Sequence, residues 1–136
     1  MFSDGTVHLS LCVADLGKAC DFYETVFGVT PIYSSNETAH YGLFASHLVL
    51  RELPGYRHET TEVDDEGWRV PVPHIGFIVS RSEWDAIRDR VDSSSAEVML
   101  EPVRRREATP AEHEVFFVQD PAGHALEIKT YLRNSG

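Results

Sequence analysis

The chain has 136 residues, a length that accommodates one ordinary domain and excludes two large ones. It carries 12 Lys and Arg against 22 Asp and Glu, and the net charge of -10 argues against a nucleic-acid partner, because binding phosphates needs clustered positive charge. Its longest apolar runs are four residues, whereas a membrane span needs about twenty, so no membrane partner is expected. The first residues lack the basic start and apolar stretch of a secretion signal, so a cytoplasmic protein is expected.

A strand followed by an amphipathic helix opens the chain. Residues 7–13 alternate between two faces and are rich in apolar and β-branched side chains, a pattern that predicts a strand. Asp15 is a good helix N-cap, and apolar residues then recur at steps of three and four as far as Phe27. Gly28 marks the end of this helix. Further strands are predicted around residues 31–34, 39–45 and 46–50.

The second half of the chain repeats this order of elements. Residues 73–79 predict a strand, and Ser82 begins a predicted helix that continues to Val91. Further strands are predicted around residues 97–100, 115–118 and 124–128. The opening strands of the two halves align at an offset of 66 residues, which indicates an internal repeat.

Each half is therefore predicted to be a βαβββ module, which gives an α+β fold within a single domain. One module covers about residues 6–55, a polar segment at about 56–70 is predicted to be a solvated linker, and the second module covers about 71–132. Because one such unit cannot bury its sheet alone, the two modules are expected to pack together.

Three residues are candidate metal ligands. The repeat places His8 and His74 at equivalent positions, each on the strand face opposite the one predicted to pack against a helix. Glu127 interrupts an apolar strand, where a buried carboxylate is costly unless it is paired or bound to a metal. Two imidazoles and a carboxylate suit ions such as Fe(II) or Mn(II). The residues alone leave open that the histidines are ordinary half-exposed strand residues and that the glutamate faces solvent.

Two segments of the sequence resemble a known superfamily. Residues 8–16, together with the pairs 22–23 and 27–28, are similar to the opening strand and helix of the vicinal oxygen chelate superfamily. Residues 120–129 resemble its closing turn and strand. Members include glyoxalases, fosfomycin- and bleomycin-resistance proteins and extradiol ring-cleaving dioxygenases.

This resemblance implies a fold and a site. The sheets of paired modules are expected to curve into a cup around a metal held by His8, His74 and Glu127. The resemblance favours Fe(II) as the divalent ion, with Mn(II) or Zn(II) as alternatives. It also implies a small-molecule substrate and a homodimer, in which modules pair within or between chains.

The number of ligands bears on the reaction. Glyoxalase-type members of the superfamily use a fourth ligand, from the last strand of the first module. Residues 46–50 align with 123–127 at an offset of 77, which places Leu50 at that position, and leucine cannot bind a metal. His47 is expected to face the other side of the strand or to lie in the turn. Three ligands rather than four resemble the dioxygenase and fosfomycin-resistance branches, and of these an extradiol-type dioxygenase is favoured. Fosfomycin-resistance members also need a basic anion pocket, and the three arginines at 104–106 are predicted to lie in a solvated loop instead.

The sequence leaves the acid–base group open and allows other functions. Extradiol cleavage needs a proton acceptor, for which His40, Tyr41, His47, His58 and His113 are weak candidates. Lys129 is expected near the pocket rim. The alternatives to a dioxygenase are a glyoxalase-like isomerase or thiol transferase, or a metal-free protein that binds a drug.

Overall fold

Two strand–helix units of the same topology follow each other along the chain. The structure, a computed structural model, describes residues 2–132. The elements in order are β1 (Val7–Val13), α1 (Leu16–Phe27), β2 (Tyr33–Ser34), β3 (Thr38–Leu43), β4 (Ser46–Glu52), β5 (Thr61–Asp65), β6 (Trp68–Val72), β7 (Ile75–Ile78), α2 (Arg81–Asp92), β8 (Glu97–Arg105), β9 (His113–Gln119) and β10 (Ala125–Tyr131). Each α-helix has 12 residues, and in the described part of the chain no helix is long and apolar enough to span a membrane.

The two four-stranded sheets have matching strand orders. One sheet has the order β1-β4-β3-β2 and the other the order β7-β10-β9-β8. In both, the first strand runs parallel to the last strand of its module, and the remaining pairs are antiparallel. The prediction of an α+β fold built from two βαβββ modules is therefore confirmed. Strands β1 and β7 each lie at an edge of their sheet.

The segment between the modules differs from the solvated linker expected at 56–70. Strands β5 and β6 form an antiparallel hairpin. One apolar side chain of this hairpin, Val70, is buried against the second sheet, where it contacts a cluster that includes Val115, Phe117 and Ala125. Residues of β5 are largely exposed, whereas β6 packs on the second sheet through Val70. The hairpin covers part of the sheet face that the helix leaves open.

The helices join the two modules in one core. Helix α1 begins at the N-cap Asp15 as predicted, whereas α2 is capped by Ser80, two residues before the predicted start. The apolar faces of both helices pack with the inner faces of both sheets in a single cluster. Contacts between modules include the rings of Phe27 and Phe77, 5.4 Å apart, and a 2.7 Å hydrogen bond from the Tyr23 hydroxyl to Asp120. The opposite face of each sheet is left for the candidate site residues.

Candidate metal centre and its pocket

Two of the three candidate ligands lie together on the second module. His74 immediately precedes β7, and Glu127 lies on the neighbouring β10, in register with Gly76. The His74 Nε2 atom is 4.0 Å from Glu127 Oε2, and the Lys129 Nζ atom is 3.4 Å from Glu127 Oε1. The Glu127 side chain is only 12% exposed. The carboxylate is therefore partly buried and has an imidazole and an ammonium group as neighbours.

The hydrogen bond of His74 decides which of its ring nitrogens carries the proton. Its Nδ1 atom lies 2.7 Å from the backbone carbonyl oxygen of Pro71. A carbonyl oxygen only accepts, so Nδ1 carries the proton and donates it to this bond. The neutral ring then has its lone pair on Nε2, the atom nearer to Glu127. Metal-binding histidines are commonly fixed by such a bond from the other ring nitrogen. The donor set at this position fits a divalent cation.

A glycine leaves the space that Glu127 occupies. A Cβ atom at position 76 would lie 2.7 Å from Glu127 Oε1, closer than side-chain carbons approach other atoms. Any side chain at this position would therefore displace the carboxylate.

We predict that Gly76→Ala lowers the affinity for Mn(II) by roughly tenfold or more, because the displaced carboxylate leaves its position beside His74. Titration calorimetry measures this affinity. Gly17→Ala is the control, since it adds the same methyl group on α1, where the nearest atom is 3.4 Å away. Equal Mn(II) affinity in the two variants would contradict the prediction.

A cavity of about 280 Å³ surrounds His74 and Glu127 and is lined by both basic and acidic side chains. Its wall also includes Lys129 from β10, Trp68 from the hairpin and Arg105 from the end of β8. The sequence placed this arginine in a solvated loop, but β8 continues to Arg105 through irregularities in its pairing with β9. The structure therefore places in the pocket a basic side chain that the sequence predicts to be solvated.

Arg105 is held firmly and carries an unused donor. Its guanidinium lies 4.6 Å from the centre of the Trp68 ring, and its Nη2 atom donates a 2.7 Å hydrogen bond to the Asp65 carbonyl. The side chain is 10% exposed. Within the described residues its buried Nη1 atom makes no hydrogen bond. Leaving a buried donor unpaired costs about 1–3 kcal/mol.

His8 lies apart from this pair. It is an exposed residue of β1, and its Nδ1 atom lies 3.0 Å from the Nδ1 atom of His47 on β4. Among residues 2–132, no three His, Cys, Asp or Glu side chains come together as a group that could hold a metal ion. A single chain thus brings together two of the three predicted ligands and leaves His8 on the other module.

The expected positions of Leu50 and His47 are wrong. Glu127 pairs with Gly76, and at the same place in the first module Val49 pairs with Ser10, so Val49 is the counterpart of Glu127. Leu50 is buried in the core beside the helices. His47 shares the face of His8. The alignment of residues 46–50 with 123–127 is therefore wrong by one residue. A shift of one residue moves each side chain to the opposite face of the strand. Valine cannot bind a metal either, so this position supplies no fourth ligand.

The proposed acid–base candidates lie in three different places. The Tyr41 hydroxyl is in the core, where it donates a 2.8 Å hydrogen bond to Glu24, so it does not face the pocket as expected. Burial raises the pKa of Tyr41 well above its ordinary value. His40 lies on the first module, beside His47. His113 lines the pocket of His74, and its Nδ1 atom donates a 2.8 Å bond to the Ala111 carbonyl, which leaves Nε2 as an acceptor.

His58 lies outside this pocket. Its ring centre is 4.3 Å from that of His124, and both line a second cavity of about 420 Å³ between β1 and β7, which His74 also borders. Burial, followed by the neighbouring His124, lowers the pKa of His58. Burial also lowers the pKa of His47, with His8 and His40 as the next causes.

The fold and the site together define a class of protein. Residues 5–128 match the sequence profile of the Glyoxalase/Bleomycin resistance protein/Dioxygenase superfamily, and the chain belongs to this family. A glyoxalase/bleomycin resistance protein/dioxygenase from Alicyclobacillus acidocaldarius has the same fold, with a TM-score of 0.76, 24% identity and coverage of 95% of this chain and 92% of that chain. The fosfomycin resistance protein FosX from Listeria monocytogenes gives a TM-score of 0.71, 20% identity and coverage of 98% and 97%.

Curated relatives are more specific about chemistry. The metallothiol transferase FosB of Shouchella clausii is 28% identical over 127 residues, which cover 93% of this chain and 80% of the relative. The metallothiol transferase FosB of Lysinibacillus sphaericus is 29% identical over 126 residues, which cover 90% and 79%. These relatives are transferases, so they do not support the dioxygenase interpretation. They favour the thiol-transferase alternative.

Proposed function

We propose that this chain is a divalent-metal-dependent transferase that joins a small thiol to an anionic substrate of the phosphonate class. The observation that carries the proposal is Arg105, which lines the same cavity as His74 and Glu127 and whose buried Nη1 atom makes no hydrogen bond among residues 2–132. A catechol, the substrate of the dioxygenase alternative, has no tetrahedral anion for such a group to bind. The names of the curated relatives support the same choice.

Arg105 and Lys129 form the anion-binding part of the proposed site. A guanidinium presents several donors in a fixed plane and suits phosphate-like groups. Trp68 holds this plane by stacking against it. Lys129 adds a second positive charge beside Glu127. The charged residues of the cavity wall are Arg105, Arg106 and Lys129 against Asp65 and Glu127, in a chain with 22 acidic and 12 basic residues, so the wall favours one small anion rather than a polyanion.

The metal would be held by His74 Nε2, the Glu127 carboxylate and His8. Imidazole and carboxylate ligands suit Mn(II), Zn(II) and Fe(II), and the expected preference for Fe(II) has no support from the relatives. When bound, the divalent cation would act as a Lewis acid that polarises a substrate oxygen.

His8 would come from a second copy of the chain in a homodimer. Each chain presents an incomplete ligand set, with His8 on one module and the pair of His74 and Glu127 on the other. Large apolar side chains are exposed near both parts, with Val7 on β1 55% exposed and Ile78 on β7 68% exposed. Exposed apolar groups on the edge strands of sheets favour pairing with another chain.

Fosfomycin, against which a structural neighbour is described as a resistance protein, has the required chemistry, since it carries a phosphonate and an epoxide. In the proposed reaction a C–S bond forms as an epoxide C–O bond breaks. The thiol proton passes to an acceptor, for which the lone pair on His113 Nε2 is available, and the former ring oxygen takes up a proton to become a hydroxyl.

Phosphorus-31 NMR tests this proposal. Protein loaded with Mn(II) is incubated with fosfomycin and either cysteine or glutathione, and a new phosphorus resonance is expected only when metal and thiol are both present. A product formed without thiol would instead indicate addition of water. Absence of any product with either thiol, together with oxygen uptake by the Fe(II) form on catechols, would overturn the proposal in favour of the dioxygenase.

A further inference from the structure

Three histidines form a hydrogen-bonded row on the open face of the first module. His8 on β1 lies directly opposite His47 on β4, and His40 lies on the adjacent β3. The Nδ1 atoms of His8 and His47 are 3.0 Å apart, and the Nε2 atom of His47 is 3.2 Å from Nδ1 of His40. The ring of Phe2 stacks on His47 at 4.9 Å, and Tyr33 contacts His40 edge-on at 5.3 Å.

The protons of this row can be arranged in two ways. A neutral imidazole has one N–H and one lone pair, so a bond between two Nδ1 atoms needs a donor and an acceptor. If His8 donates, His47 accepts at Nδ1 and donates from Nε2 to His40, and the lone pair of His8 lies on Nε2. If the direction is reversed, His8 Nε2 carries the proton and cannot bind a metal. Only one direction of the row therefore makes His8 a ligand through Nε2.

We infer that His47 is a positioning residue, which accepts the Nδ1–H of His8 and so holds the lone pair of His8 Nε2 toward the metal. The inference rests on the proposed function, because it takes His8 as a ligand. The second module supports it by comparison. There, the repeat-matched His74 donates its Nδ1–H to the backbone carbonyl of Pro71. In the first module, the described hydrogen bond of the His8 ring goes to a side chain instead.

The geometry also indicates that the row is not a metal site in itself. The three rings bond to one another in sequence, and no group of three such side chains is arranged to hold an ion within residues 2–132. His40 therefore serves as the last acceptor of the row, and stacking of Phe2 on His47 restrains the middle ring.

Three variants separate hydrogen bonding from packing. His47→Leu keeps an apolar group beneath Phe2 but removes the acceptor, whereas His47→Asn places an amide oxygen near the position of Nδ1. Arg51→Gln is the matched control, because Arg51 lies on the same strand and face and bonds to Ser10. Titration calorimetry with Mn(II) is expected to show an affinity loss of roughly 10- to 100-fold for His47→Leu. His47→Asn and Arg51→Gln are expected to stay close to the wild-type affinity.

Long-range ¹H–¹⁵N NMR of the zinc-loaded wild-type protein reads the proton position directly, and the expected result is His8 with its proton on Nδ1. A proton on Nε2 of His8 in that spectrum would overturn the inference, even if the His47 variants failed to fold. An unchanged Mn(II) affinity in His47→Leu would also overturn the inference about His47. If Glu127→Gln loses metal in the same experiment, the proposed function still stands. If Glu127→Gln also binds Mn(II) normally, the proposed metal site itself fails.

Discussion

Replacing Glu127 with glutamine is expected to remove nearly all divalent metal from the protein. The substitution keeps the size of the side chain but removes the negative charge of the carboxylate that lies 4.0 Å from His74 Nε2. We expect the Mn(II) affinity to fall at least about a hundredfold, equivalent to about 2.8 kcal/mol. His74→Ala should have a comparable effect, because it removes an imidazole that could bind the metal. The Nδ1 atom of this ring donates to the Pro71 carbonyl, and the lone pair on Nε2 stays free.

Metal analysis of protein purified without chelators, followed by calorimetry with Mn(II), measures this loss. Glu101→Gln is the matched control, since Glu101 lies on β8 with its side chain 68% exposed and pairs with Arg88 at the surface. Thermal unfolding of each apo variant shows whether the fold is retained. A His74→Ala or Glu127→Gln protein that keeps a full complement of metal would remove these residues from the proposed site.

Loss of the Arg105 guanidinium is expected to weaken binding of the anionic substrate strongly. Arg105→Met keeps a long apolar side chain against Trp68 and removes every donor. Hydrogen bonds to charged groups contribute about 1.5–3 kcal/mol, so the KM for fosfomycin should rise roughly 10- to 100-fold, with a smaller change in kcat. Arg105→Lys should recover part of this loss, because it restores charge without the planar donor pair.

The neighbouring arginine supplies the control for this prediction. Arg104 is 49% exposed, pairs with Glu112 and Glu114, and does not line the cavity. Steady-state rates followed by phosphorus-31 NMR should therefore be nearly unchanged in Arg104→Met. If Arg104→Met and Arg105→Met raise KM equally, the effect is one of overall charge and the proposed anion site is not there.

Local patterns in the sequence were enough to predict the modules. The alternation of β1, the capped helix that follows it and their repetition 66 residues later are short-range signals, and each corresponds to an element of the structure. The facing of His47 and Leu50 depended instead on counting through a loop. Strand pairing decides the facing, and pairing between β1 and β4 is not visible in a single sequence.

The basic pocket was missed for a related reason. Arg105 lies among other charged residues, so its surroundings predict a solvated loop, but β8 extends to it through irregular pairing with β9. Its partner Trp68 comes from a segment that is polar on average. A tryptophan alternating with Val70 within that segment was the available signal for an anchored strand. The separation of His8 from His74 could not be predicted, because repeats of the same topology allow modules to pair within or between chains.

Mixing two variants that each lack one ligand tests most directly whether a single metal site draws His8 from one copy and His74 with Glu127 from the other. His8→Ala and His74→Ala chains with different affinity tags are co-expressed, and the heterodimer is isolated through both tags. A two-fold dimer with shared sites would contain one intact ligand set and one that lacks both histidines. We expect about one Mn(II) per heterodimer, against about two for the wild-type dimer and almost none for either variant alone. A heterodimer without metal would contradict the shared site, and so would a wild-type protein that binds Mn(II) fully as a monomer.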